Sequence, residues 1–424
     1  MTTKRLFSTL ALIFFFILNA NAQNVLKVQF IKGDFEDIKN MVTGEGKILL
    51  IEFSEKPNEE YNYLKNNVFN DEKIALLLND KFVLYHYNRD FDKRKKLMKK
   101  FNVKYNPTYV FADAELNELY KLAGSFSKED LINACNFALS PDNNLMSWKM
   151  AIEEKTASSS VYFNYAKALY LAKEDYVNAA SDYFKHSDTD FNKDPNGVEA
   201  VLLFTEDMYE PRFVILMEHH NEINPEFYDY RNFKLRTNEI ISNSLVQSLA
   251  ADTNISLEDT VNSTAEQFNL DDPMRLMSLV KMKYYKTVKD NPDERYKAMT
   301  DYLASSSDIL GPDKTFEYLD EIIKNSNNNE VLTMANTTLF DLIAQYNKPE
   351  YQVALIDLSL KLKNFDEARH AFEVLQHFNM ESHNLSRQEM DKLKNKIDNA
   401  QLVEKGLAPK EKTKKKKGKK KKRK

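Results

Sequence analysis

Between residues 24 and 140, stretches with a period-two apolar pattern alternate with stretches of helical period. Residues 25–31 read as a strand and 34–41 as a helix. The run Lys-Ile-Leu-Leu-Ile-Glu-Phe-Ser over 47–54 is apolar enough for the centre of a sheet. Helical patterns follow at 58–68 and 71–78, then a strand at 82–87 and a helix at 91–101. Two short strands, 108–112 and 119–123, are separated by a turn and predict a hairpin. Residues 127–139 close the series, with Ser127 as N-cap and Asp130 three positions on. This predicts an α/β domain over 23–140.

After Pro141 the pattern changes. No strand is evident from 145 to 406, and amphipathic segments follow one another with polar loops between them. Asp272-Pro273 and Asn291-Pro292 each place a capping residue before a first-turn proline, and Ser386 with Glu389 forms a capping box. About ten or eleven helices are expected, an all-α region over 141–405.

The net charge of −4 conceals two opposite parts. From Lys410 onward there are 12 Lys and Arg against one acid, a local charge of +11, while residues 23–409 carry −17. The basic cluster comprises Lys414, Lys415, Lys416, Lys417, Lys419, Lys420, Lys421, Lys422, Arg423 and Lys424. Like charges at this density repel, so 406–424 is expected to be a disordered polybasic tail. At the other end, Lys4 and Arg5 precede a 13-residue apolar run and the small-x-small triplet Ala20-Asn21-Ala22. That run is too short to span about 30 Å of hydrocarbon. Residues 1–22 therefore read as a secretory signal, cleaved after Ala22. Export is expected, to the periplasm first and the extracellular space second. With export, nucleic acid drops out as a target for the tail. Anionic lipid, envelope glycans or an acidic partner take its place, and a plain solubility device is the alternative.

Little chemistry is visible. Cys135 is the only cysteine; it recurs with Leu131 and Leu139 at helical spacing and reads as a small buried hydrophobe. A lone cysteine excludes an internal disulfide and a cysteine-rich zinc site. His370, Glu373 and His377 share a helical face, which reads as solvated rather than metal-binding; His219-His220 points two ways. There is no P-loop, no Gly-x-Gly-x-x-Gly and no Gly-x-Ser-x-Gly, and no carboxylate pair stands out among 64 acids. No cofactor or metal is implied.

The order strand, helix, strand, helix, hairpin, helix resembles a thioredoxin fold. Ile51-Glu52-Phe53-Ser54 resembles the central strand that leads into that family's active-site helix. Val68-Phe69-Asn70-Asp71 is similar to the segment that follows it in secreted members, and Asn106-Pro107-Thr108 sits where the family carries a cis-proline. The family's Trp-Cys-x-x-Cys would fall on Pro57 to Tyr61, where Asn58 and Tyr61 occupy both cysteine positions. Dithiol exchange needs a thiolate and a resolving thiol, and neither is present. Glu52 matches the family's buried proton-transfer acid; without thiols it reads as structural, partly solvated or hydrogen-bonded. The resemblance implies a peptide-binding groove with Asn106 and Pro107 opposite Asn58 and Tyr61.

Two later hairpins resemble tetratricopeptide repeats, one through Tyr170, Asp175-Tyr176, Ala179 and Tyr183, the other through Asn364-Phe365, Ala368 and Phe372. Lys167, Ile356 and Ser359 depart from that pattern, and the helices between show no 34-residue register. A degenerate TPR-like helical-repeat domain is the expectation, with an ordinary helical bundle as the alternative.

Together these readings predict an exported, redox-inactive protein of the bacterial cell envelope. It would act as a protein-interaction or chaperone-like scaffold for a protein or peptide partner. The rival expectation is a hydrolase or other enzyme with an unrecognised site between the two domains.

Overall fold

The computed structural model describes residues 27–54, 57–87, 96–252, 254–378 and 386–407. Residues 1–22, expected to be a secretory signal, and the basic cluster from Lys414 to Lys424 lie outside the described residues. The chain divides into two compact units, Met1–Phe204 and Thr205–Lys424. The change from mixed strands and helices to helices alone falls at Pro141, so four helices beyond that point belong with the sheet before this division is reached.

In the first unit, α1 (Phe35–Glu45) leads into β1 (Ile48–Phe53). Helix α2 (Glu59–Tyr63) widens into a π-helical turn, Leu64–Val68, and α3 (Glu72–Lys81) follows, then β2 (Phe82–His86). A short α4 (Lys96–Lys100) precedes β3 (Thr108–Ala112), β4 (Glu118–Ala123) and α5 (Lys128–Leu139). The four strands form a mixed sheet in the order β2-β1-β3-β4, with β1 parallel to β2 and antiparallel to β3. Of the strand expected at 25–31, residues 27–31 are described and form a single bridge. Ile31 pairs with Tyr85, its N–H donating to Leu84 O and its carbonyl accepting from His86 N, and residues 27–30 have no ladder.

Both faces of the sheet are covered, which explains why β1 and β3 read as nearly unbroken apolar runs. Leu50, Leu84 and Phe111 pack beneath Leu64, Ile74, Leu78 and Leu131 on one face. On the other, Ile51, Val83 and Val110 pack with Ile38, Val42 and Phe101. Capping places α5 as the sequence predicts: Ser127 and Asp130 form a reciprocal capping box. Cys135 is buried in the first of these faces, and burial pushes its thiol up to about 12.

Helices α6 (Leu145–Glu153), α7 (Ser159–Leu171), α8 (Val177–His186) and α9 (Gly197–Phe204) complete the unit. Trp148 of α6 stands edge-on to Tyr120 of β4 and to Phe137 of α5, and its indole N–H donates to Asn143 Oδ1 at 2.8 Å. Lys121 of β4 is 4% exposed; its ammonium donates to Phe101 O at 2.9 Å and meets Glu174, in the α7–α8 turn, at 2.5 Å and Glu118 at 3.1 Å.

The second unit contains helices α10 (Pro211–His219), α11 (Tyr230–Ala251), α12 (Leu257–Gln267), α13 (Pro273–Thr287) and α14 (Pro292–Ser305). It continues with α15 (Pro312–Asn325), α16 (Asn329–Tyr346), α17 (Pro349–Lys361), α18 (Phe365–Gln376) and α19 (Arg387–Glu404). Asp272, Asn291 and Ser386 cap α13, α14 and α19 as expected. From α11 onward successive helices pair, and α11 also meets α13, α14 meets α16, α15 meets α17, and α17 meets α19. One continuous core from Leu279 to Ile397 results. From α6 onward fourteen helices are described, more than the ten or eleven expected. Helix α9 shows why: Gly-Val-Glu-Ala-Val-Leu-Leu-Phe is buried at six of eight positions and carries no amphipathic signal. No described helix is long and apolar enough to cross a membrane.

Candidate functional site

The C-terminal edge of the sheet gathers the polar residues of the first unit. Asn58 caps α2, its Oδ1 accepting from Tyr61 N at 2.8 Å. Its Nδ2 donates to Asn106 O at 2.7 Å, so one amide side chain closes the gap between the head of α2 and the turn before β3. The Asn106–Pro107 peptide bond is cis, and the Pro107 carbonyl accepts from Gly124 N at 2.9 Å. Gly124 has φ of 72°, and a Cβ there would meet the Glu60 carboxylate at 3.1 Å. Only a glycine lets the loop after β4 adopt this conformation under the first turn of α2 without strain. Asn58, Asn106 and Pro107 are therefore brought together, while Tyr61 lines a separate cleft beside Glu52.

That cleft follows from strand register. Glu52 is paired with His86 on β2 and with Tyr109 on β3, which places the three side chains abreast on one face of the sheet. Glu52 is 5% exposed, and both of its oxygens are engaged. Its Oε2 lies 2.6 Å from His86 Nδ1, and its Oε1 accepts from Tyr109 Oη at 3.0 Å. The two tyrosines respond to this carboxylate. Burial first, then the Glu52 charge, holds both phenols above their ordinary range, Tyr109 well above it. Tyr109 is thereby kept as a hydrogen-bond donor. The Glu52 of the sequence reading is thus hydrogen-bonded rather than solvated. His86 and Tyr109 were invisible without the register, because neither lies in a recognisable motif.

His370, Glu373 and His377 are exposed on α18 and beyond its end, with His377 Nδ1 against Glu373 O at 2.8 Å, and no cluster of three metal-ligating side chains occurs among the described residues. His220 is buried, stacked on Phe233 and bonded to Met217 O, whereas His219 is exposed. In the second unit, α15, α17 and α19 enclose a groove of about 780 Å³ with an apolar floor of Phe316, Ile323 and Val353. Ion pairs Lys324–Asp320 and Lys396–Asp357 stand on its rim.

No protein-family model matches the chain, and no curated protein matches it.

The Asn58 clasp is open to a direct test. Asn58→Ala removes the cap of α2 and the bond to Asn106 together, with an expected cost of about 1–2 kcal/mol. Asn58→Asp keeps a capping acceptor but sets a carboxylate against the Asn106 carbonyl. Urea unfolding followed by Trp148 fluorescence should show Asn58→Asp also below wild type; wild-type stability in Asn58→Asp would assign the whole effect to the cap.

Proposed function

We propose that this chain is an exported, redox-inactive protein of thioredoxin-like fold, joined to a TPR-like helical region. It works as a protein-interaction or chaperone-like scaffold in the bacterial cell envelope. The observation that carries this reading is the Asn58 side chain. At the position where the resembling family has its attacking thiol, an amide is committed to capping α2 and holding Asn106 O. The order of strands, with α2 and α3 between β1 and β2 and a hairpin of β3 and β4 afterwards, supports the fold part of the reading. Pairwise packing of α15 to α19, with each of α15 and α17 also meeting the next helix but one, supports a repeat array rather than a bundle. The groove on that array and the surface around Asn58, Tyr61, Asn106 and Pro107 are the two regions assigned to polypeptide binding.

Two measurements on the purified protein test the reading. Insulin reduction by dithiothreitol-recycled protein should equal the buffer rate, because the sole thiol, Cys135, is buried with its proton held tightly. In the same vessel, aggregation of the released insulin B chain should slow as protein approaches equimolar amounts. Reductase activity lost in Cys135→Ser would overturn the redox part. Unchanged turbidity at equimolar protein would overturn the chaperone-like part.

A further inference from the structure

We propose that the cleft beside Glu52 binds a small organic carboxylate bearing one apolar group, whether a free acid or the last residue of a polypeptide. The cleft holds about 240 Å³. That is below the range of roughly 300–1,000 Å³ typical of drug-sized or cofactor ligands, and it suits a single side chain. Val28, Phe30 and Phe69 supply apolar wall, and Phe30 stands edge-on to Phe69 with ring centroids 6.0 Å apart.

The polar lining decides the sign of the ligand. Lys32 and Lys65 both line the cleft and are exposed, and neither has an ion-pair or hydrogen-bond partner among the described residues. Glu52, the one acid in the lining, already accepts from His86 at one oxygen and from Tyr109 at the other. Because a carboxylate only accepts, His86 Nδ1 carries the proton in that contact, and Nε2 is the ring nitrogen left for another partner. Two unpaired ammonium groups and the Tyr61 hydroxyl therefore face a space whose one carboxylate is already held by two donors. An amine would have to enter beside both ammonium groups and compete with His86 and Tyr109 for Glu52. A bare phosphate would leave the aromatic wall uncovered, whereas a carboxylate with an apolar body meets both parts of the lining. The inference concerns this cleft alone and stands whether or not the surface around Asn58 and Asn106 receives polypeptide.

Isothermal titration of the purified full chain with phenylacetate and with phenylacetamide tests the charge requirement. Phenylacetate should bind about tenfold or more tightly than its neutral amide, the margin expected for charge-assisted bonds to a lysine. The tripeptide Gly-Gly-Phe, with a free or an amidated C-terminus, forms the second arm. Binding of phenylacetate with exclusion of the free-acid peptide assigns the site to small acids, and tighter binding of that peptide assigns it to chain ends. The double variant Lys32→Met/Lys65→Met changes two exposed side chains and should unfold at the wild-type midpoint while losing the preference for acid over amide. It retains the basic tail, so loss of preference locates binding to the cleft. Equal affinity for phenylacetate and its amide, no binding of any probe at about 1 mM, or an acid preference unchanged in the double variant would each overturn the proposal.

Discussion

Lys121→Met is expected to lower the stability of the first unit by about 3 kcal/mol, near the low end for breaking a buried ion pair, and its melting midpoint by roughly 6–12 °C. The ammonium is almost fully buried, while Glu118 and Glu174 retain about a quarter of their side-chain exposure, which moderates the loss. Methionine fills similar space but leaves two carboxylates and the Phe101 carbonyl without their shared donor. Burial holds the Glu118 carboxyl above its ordinary range, and Lys121 is the largest influence pulling it back. Removing Lys121 raises that carboxyl further. An acid whose folded-state pKa is raised contributes stability below its unfolded pKa and loses it as pH rises through the folded value. The deficit of the variant should therefore be largest at neutral pH and shrink as pH falls toward about 5. Trp148 is the only tryptophan and is buried in the same unit, so its fluorescence in urea reads this transition directly. A deficit of equal size at both pH values would mean that lost packing, and not stranded charge, is responsible.

The sheet was legible because its strands are covered on both faces. Every residue of β3 is buried, so period, length and β-branched content agree over 108–112, and the observed bounds match the expected ones. The segment at 25–31 is likewise rich in apolar and β-branched residues, yet among its described residues, 27–31, only Ile31 joins the neighbouring strand. Composition gives the tendency to extend; a ladder also needs a free edge in register. Helix starts were legible through Ser, Asp and Asn caps, whereas many stops were not. Lys155, Lys173 and Lys363 take left-handed conformations with φ of 59°, 55° and 61° at the ends of helices, and Asn269, Asp290 and Asn347 do likewise. With eight glycines in the chain, the usual stop signal is replaced by residues that look helical in sequence.

The candidate site divides in the same way. Asn58 and Asn106 lie at positions that a linear pattern can mark, the head of a helix and the residue before a proline, and the structure joins them through one amide. The Glu52, His86 and Tyr109 trio is spread over 57 residues and becomes a unit only through pairing of three strands. Its assembly is a consequence of register, where a slip of one residue would turn any member to the other face. Sequence spacing carries no trace of that.

The largest expected effect belongs to the basic tail, which lies outside the described residues and for which the prediction rests on charge alone. Fifteen residues from Lys410 carry +11, against −17 in the body between residues 23 and 409. Two destinations compete for it, the acidic surface of its own chain and an external polyanion. Screening limits the body's field to about 8 Å at physiological salt, and an extended segment of this length reaches well beyond that. Each lysine close to an anionic membrane contributes on the order of 1 kcal/mol. About ten of them support reversible attachment even after losses from ordering the chain, with no lipid anchor required. Vesicles rich in phosphatidylglycerol should therefore sediment the full-length protein at low salt and release it as salt rises, while neutral phosphatidylcholine vesicles should not. Deleting residues 412–424 should reduce partitioning by at least about a hundredfold, since loss of even three such contacts exceeds 2.8 kcal/mol. If the truncated protein follows the full-length one onto anionic vesicles across the whole salt series, the tail serves solubility and the attachment reading fails.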